Sequence, residues 1–273
     1  MSDPLQEILE HARKTRGVDF SSYRTGTIRR RLETRLYATG MTDYPSYYEY
    51  LRGEPGEMNA LIEALTIKVS RFFRDPLVFE VLRETVFPEL LHTFGGDSLR
   101  IWSAGCARGE EPYSVALLLR EMSEKEGEWP DTFIIATDID TESLDAARTA
   151  VYRDEALTNV RKGHLDRYFS AGNGFHRLRE EIRSMVTFSY HDVMTGFPPK
   201  EGVFSDYHLI LCRNVLIYLE SPAQERVMKC FMESLAEGGY LILGKAETPA
   251  FDSAKSLRRE TFPVNIFRKR GRK

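Results

Sequence analysis

Apolar and polar positions follow two rhythms along the chain, and the change falls near residue 95. Before it the spacing is helical. Leu5, Ile8, Leu9 and Ala12 recur at intervals of three and four, which places them on one helix face. Ser2 or Asp3 can cap that helix, Pro4 suits its first turn and Gly17 its end. TIRRRLETRLYATG predicts a second helix with Ile28, Leu32 and Leu36 inward and Gly40 as its stop. YPSYYEYLR predicts a third, and MNALIEALTIKV, after the EPGE break, a fourth.

After residue 95 the apolar runs become short and end in small or polar residues: 99–105, 132–139, 185–193, 206–214 and 240–247. Helical patterns separate most of them, in PYSVALLLREMSEKEG, TESLDAARTAV and PAQERVMKCFMESLAEGG. Strands alternating with helices imply a parallel sheet covered on both faces. No helix separates YLILGKAE from FPVNIFRKR, so an antiparallel hairpin at the sheet edge is expected there. Residues 153–183 are polar and punctuated by glycine. They predict a helix followed by a small insertion around Gly172 and Gly174, or else a plain surface loop. The expected organisation is a small all-helical N-terminal domain, 1–68, a linker, 69–78, and an α/β domain, 79–273, with the insertion near 160–184.

Composition narrows the class. A net charge of -3 gives no bulk attraction to nucleic acid or anionic membrane. Apolar runs such as VALLL are too short to span a bilayer, and the first residues lack a basic leader with an apolar core. Cys106, Cys212 and Cys230 form no CxxC pair, and the six histidines are scattered, so buried reduced thiols in a cytoplasmic protein and no metal site are expected.

The chemistry gathers at the first strand's end, IWSAGCARGEEPYSVALLL. In an open α/β sheet, ligands sit at the carboxyl ends of the strands. Dinucleotide sites use GxGxxG to bring a pyrophosphate to a helix N-terminus. Here the spacing is Gly105-x-x-x-Gly109, followed at once by Glu110 and Glu111. Two carboxylates repel phosphate and attract a cation, which fits S-adenosylmethionine. Asp138, ending the second run, is placed to accept ribose hydroxyls, or to cap the next helix in competition with Asp140 and Thr141. Asp192 and Val193 end the third run, where adenine would be read. Arg213 and Asn214 end the fourth, with Tyr218 one turn later as either a site residue or a core aromatic. The glutamates also suit a helix N-terminus on electrostatic grounds alone.

Four stretches in this order, LTIKVSRFFRDP, WSAGCARGEEPYSVALLL, ATDIDTESLDAAR and LCRNVLIYL, resemble the chemotaxis receptor glutamate methyltransferases (CheR-type) over nearly the whole chain. The resemblance implies an all-helical domain joined to a Rossmann-like, doubly wound class I methyltransferase sheet with a small inserted β-subdomain. It implies S-adenosylmethionine as cofactor, S-adenosylhomocysteine as product, and methyl esters formed on glutamates of chemoreceptor cytoplasmic helices, beside a receptor methylesterase. The implied cofactor contacts are Ser70, Arg74, Glu111, Asp138, Asp192, Val193, Arg213 and Asn214, with Arg74 and Tyr218 catalytic. Lys68 stands where family members often carry Asn, and Ser70 where they carry Thr. Arg31 and Arg35 match positions that grip acidic receptor helices; the alternative is a solvated face salt-bridged with Glu33. Other readings are a class I methyltransferase with another acceptor, or a binding module that has lost catalysis.

Overall fold

A computed structural model of the chain describes residues 3–66, 70–95, 98–127, 129–172, 174–200, 206–249, 255–261 and 263–271. The chain divides into two compact units, Met1–Lys68 with Tyr218–Ala223, and Val69–Ile217 with Gln224–Lys273.

The first unit is helical: α1 (Pro4–Arg16), α2 (Thr25–Thr39), α3 (Tyr44–Gly53) and α4 (Glu57–Leu65). Asp3 caps α1 by accepting from the Leu5 N–H, and Gly17 ends it in the left-handed region. Leu5, Ile8, Leu9 and Ala12 are all buried, as their spacing requires, and Ile28 and Leu32 join them. Leu36 turns out only half-buried, because the inward stripe of α2 is narrow. Arg35 pairs not with Glu33 but with Glu57 of α4, through Nε–Oε1 at 3.0 Å and Nη2–Oε2 at 2.7 Å. Tyr47 donates to the same carboxylate at 2.7 Å. Tyr218–Ala223 joins this unit through backbone bonds from Arg24 N–H to the Tyr218 carbonyl and from Glu220 N–H to the Ser22 carbonyl.

The second unit opens with α5 (Pro76–Val81) and α6 (Phe87–Phe94), joined by a π turn at Leu82–Val86. Pro88 explains the turn: it lacks an N–H and its ring crowds the carbonyl four residues back, so the helix widens there. The remaining helices are α7 (Glu110–Glu126), α8 (Thr141–Thr149), α9 (Lys162–Tyr168), α10 (Glu180–Arg183) and α11 (Ser221–Ser234). The strands are β1 (Leu99–Ala104), β2 (Thr132–Asp138), β3 (Val151–Arg153), β4 (Phe169–Gly172), β5 (Phe175–Leu178), β6 (Val186–Tyr190), β7 (Tyr207–Cys212), β8 (Leu235–Leu243), β9 (Leu257–Thr261) and β10 (Ile266–Lys269).

Seven strands form one sheet in the order β6-β2-β1-β7-β8-β10-β9. Pairing is parallel from β6 to β8 and antiparallel from β8 through β10 to β9. β1 and β7 are buried almost throughout, as strands covered on both faces must be. The order reverses between β1 and β7, which opens a crevice at their carboxyl ends.

Three expectations shift. The expected terminal hairpin is not at the edge, because β9 pairs outside β10. Its LRRET sequence carries charge rather than alternation, as exposed edges often do. The helix expected to reach Gly239 ends at Ser234, and LAEGG enters β8 beside β7. The insertion begins earlier than residue 160: Ala150 ends α8 at φ 53, and Val151–Arg153 forms a sheet with β5 and β4, in the order β3-β5-β4.

Candidate active site

β1 runs into a turn in which Gly105, Ala107 and Gly109 all have positive φ, at 77°, 48° and 87°. Gly105 is required by contact as well as conformation, since a Cβ there would overlap the Val215 side chain. At Gly109 a Cβ would lie 3.0 Å from both Ala147 and Phe188. The turn is stitched to β2. Gly105 and Cys106 N–H donate to the Thr137 carbonyl at 2.8 and 3.0 Å, and Ala107 N–H donates to Asp138 Oδ2 at 2.8 Å.

Asp138 Oδ1 accepts the Asp140 N–H at 3.0 Å. Burial pushes its carboxyl pKa up while these backbone donors oppose the shift. The cap of α8 is Asp140, which accepts from Ser143 N–H and hydroxyl. Asp138 is therefore not spent as a helix cap.

Glu111, in the first turn of α7, accepts from the Ser103 hydroxyl at 3.0 Å and from Arg213 Nη1 at 3.1 Å. Burial raises its pKa against the pull of Arg213 and Ser103. Arg213, at the end of β7, has a side chain only 2% exposed. Its Nη2 donates to Asp75 Oδ2 at 2.6 Å and to the Arg74 carbonyl at 2.8 Å, and its guanidinium lies over the Phe79 ring at 5.7 Å. The predicted cofactor residue is thus an internal clamp that joins Glu111 to the segment carrying Arg74. That segment is strained: Phe73 and Asp75, flanking Arg74, have φ 50 and 59. Such residues cost about 1–3 kcal/mol each and persist where neighbours over-determine them. Here Phe73 N–H donates to Ser114 Oγ at 2.9 Å, and Asn159 donates to the Phe73 carbonyl at 3.3 Å.

Asn214 also has a positive φ, 61°. Its N–H donates to Glu247 Oε2 at 2.9 Å, and Glu247 further accepts from Gly244 N–H at 2.6 Å and Ile217 N–H at 3.2 Å. Glu247 was absent from the sequence reading. It lies 33 residues from Asn214, and an acid after a predicted strand carries no signal of its own. Asp192, after β6, accepts the Met194 N–H at 2.9 Å, and the adjoining Val193 is buried. Ser70 bonds to Glu110 through its hydroxyl. Lys68 lies outside the described residues. Tyr218, Arg31 and Arg35 belong to the first unit, where Tyr218 is half-buried and Arg31 Nε is buried without a partner. So Ser70, Arg74, Glu111, Asp138, Asp192, Val193, Arg213 and Asn214 share the second unit.

Residues 68–261 match the S-adenosylmethionine-binding domain of the CheR methyltransferases, and residues 3–66 match their all-alpha domain. The chain belongs to the CheR methyltransferase family. Its relatives include a 104.1 kDa protein of Rhodobacter capsulatus, 34% identical over 90% of this chain and 25% of that one. The chemotaxis protein methyltransferase of Escherichia coli is 32% identical over 85% of this chain and 79% of its own length. WspC of Pseudomonas putida, named for biofilm formation, is 33% identical over 89% of this chain and 56% of that protein. The chain thus spans a quarter of the first of these relatives and about half of the last.

The CheR cofactor suits the residues present. Glu110 Oε2 and Asn214 Oδ1 are buried at the turn and the crevice without partners, so acceptors await a donor-bearing ligand. The carboxylates of the turn favour a cationic nucleoside over a pyrophosphate. Among the described residues, no group of three or more His, Cys, Asp or Glu side chains is placed to hold a metal ion. No described helix is long and apolar enough to cross a membrane.

Proposed function

We propose that this chain is a cytoplasmic protein-glutamate O-methyltransferase that esterifies glutamates on chemoreceptor cytoplasmic helices. The observation that carries the reading is the turn of carboxylates with Glu111 fixed by Ser103 and Arg213. The relatives support it: one is named for chemotaxis, and another for biofilm formation. A receptor methylesterase is the expected counterpart.

S-adenosylmethionine supplies a methyl group on a cationic sulfur. A free glutamate carboxyl ionises near pH 4.3, so the acceptor arrives as a nucleophile and needs no base. The bound cofactor would supply its methyl group to that carboxylate, giving a methyl ester and neutral S-adenosylhomocysteine sulfur, with both charges lost. Tight pairing of either charge beforehand slows such a step, so alignment and exclusion of water carry the rate. Ser70, Glu111, Asp138, Asp192, Val193 and Asn214 hold the cofactor in this reading. Arg213 acts by clamping Glu111. Arg74, on its strained turn, fixes the cofactor carboxylate or the incoming glutamate. Tyr218, four residues after Asn214, orients the acceptor with its hydroxyl.

Receptor contact is assigned to α2. Arg29 and Arg30 are exposed and Arg31 is partly so, while Arg35 is tied to Glu57 and supports the helix from behind. Purified receptor cytoplasmic domains incubated with methyl-labelled cofactor test the whole reading. The expected product is base-labile label released as methanol; base-stable label, or none, rejects a glutamate acceptor. Arg31→Glu with Arg35→Glu should weaken that labelling and leave cofactor affinity unchanged.

A further inference from the structure

The two glutamates of the turn are held in opposite ways. Glu111 has a partner for each oxygen. Glu110 is 3% exposed, its Oε2 has no partner, and the side chain bonding to it is the Ser70 hydroxyl. The groups facing it come from every neighbouring element. Arg108 and Cys106 lie on its own turn, Glu111 follows it on α7, Asp138 ends β2, and Tyr152 stands on β3. The Cys106 thiol feels Asp138, Glu111 and Glu110 together, and burial pushes it far up, so it stays neutral. Tyr152 gives its hydroxyl to the Arg108 carbonyl at 2.7 Å and not to Glu110. Glu110 is therefore a buried carboxyl whose burial outweighs the local support for its negative charge.

We propose that Glu110 is a proton-linked positioning residue of the cofactor site: it carries a proton before the cofactor binds and releases it to solvent when a cationic cofactor occupies the turn. The proposal rests on the cofactor assignment above. A carboxyl buried with one oxygen unpartnered favours its neutral form even against the Ser70 hydroxyl, the Glu110 and Arg108 N–H groups and the Arg108 cation, all of which pull the other way. Burial pushes the Glu110 pKa up to about 7. A positive ligand reverses the local field and lowers it. The sign follows from linkage: affinity rises as pH rises through 7 and flattens above it. Glu111 and Asp138 are also raised, since Arg213 and backbone N–H groups respectively only partly offset their burial, and the Glu110 variant below separates its proton from theirs.

Calorimetric titration at pH 6.5, in buffers of different ionisation enthalpy, counts the protons released. With S-adenosylmethionine the protein should release roughly 0.8 proton, and Kd should fall about fourfold between pH 6.5 and 8; S-adenosylhomocysteine, whose sulfur is uncharged, should release less. Glu110→Gln should release none and bind with a flat pH profile over that range. The same variant should melt at or above the wild-type temperature at pH 8, since it removes a charge that folding buries. Binding without proton release overturns the proposal alone, as does proton release that survives in Glu110→Gln or a lower melting temperature for that variant at pH 8. Absence of binding at every pH overturns the cofactor assignment and the proposal with it.

Discussion

Each unit of the chain holds an arginine bonded to a carboxylate, and the two arrangements differ in what they leave over. In the helical unit, Arg35 meets Glu57 through two bonds, Tyr47 adds a third, and the Glu57 oxygens are satisfied within the unit. In the α/β unit, Arg213 meets Glu111, Asp75 and the Arg74 carbonyl, yet its Nε, Glu110 Oε2 and Asn214 Oδ1 stay buried without partners. A closed cluster serves folding. An open one keeps acceptors and donors in reserve at the place where the strand order reverses, where open α/β sheets take their ligands. The same residue types thus do different work according to whether their hydrogen bonding is complete.

The largest effect should come from emptying the open cluster. Arg213→Ala leaves Glu111 buried beside Ser103 with no cation and releases the strained turn around Arg74. Breaking a buried pair from one side costs about 3–5 kcal/mol. Both tryptophans, Trp102 and Trp129, lie in the α/β unit, so denaturant unfolding followed by tryptophan fluorescence reads that unit. An unchanged midpoint would mean that Glu111 and Asp75 find other partners and that Arg213 is no clamp.

Next is the closed cluster. Arg35→Ala leaves Glu57, 5% exposed, with only the Tyr47 hydroxyl. The loss should be about 2–3 kcal/mol, on the scale of a charged hydrogen-bonded pair broken at a partly buried site. Hydrogen exchange of the α2 and α4 amides measures it. Cofactor Kd should stay within about twofold if this cluster is structural alone, since changes that share no partner with the binding groups couple to them by only about 0.3–0.5 kcal/mol. A larger change would erase the distinction between the clusters.

The third effect is on binding. Glu111→Gln keeps the shape of the side chain but removes its charge. Cofactor affinity should fall by about 1.5–3 kcal/mol, roughly ten- to a hundredfold, the range for a hydrogen bond to a charged group. Calorimetry with S-adenosylhomocysteine reads it. Undiminished affinity would assign Glu111 to the scaffold with Arg213 and leave the ligand to its neighbours.

Legibility followed the same division between local and distant interactions. The four helices of the first unit, the parallel run and the glycine turn rest on periodicity and on residues with special backbone geometry, which act over a few positions. Gly17, Gly40, Gly105 and Gly109 all adopt the positive φ their placement suggested. What stayed hidden depends on partners far along the chain. The reach of Glu247 to Asn214, the pairing of Arg35 with Glu57 rather than Glu33, and the internal use of Arg213 leave no periodic trace. β9 was missed because its charged residues suit an edge, and α5 and α6 because Pro88 interrupts a helix that the π turn then repairs. The site was legible as a place, from strand ends and carboxylates. Which of its residues face the ligand and which face each other was not.

Two aspartates separated by one residue offer the finest test of open against closed. Asp140 caps α8, 5% exposed, with Ser143 N–H and hydroxyl as its donors. Asp138 holds the Ala107 and Asp140 N–H groups yet remains partly exposed at the carboxyl end of β2. Asp140→Ala should cost about 1 kcal/mol of stability, the usual worth of an N-cap, with little change in cofactor affinity. Asp138→Ala should show a larger loss in affinity than in stability, because the Ala107 and Asp140 N–H groups it abandons can turn to water while a ribose loses its acceptor. Thermal melts paired with calorimetric Kd values for the two variants separate the roles. If both lose stability alone, the end of β2 is as closed as the Glu57 cluster, and the ligand-facing acceptors are confined to the ends of β1 and β7.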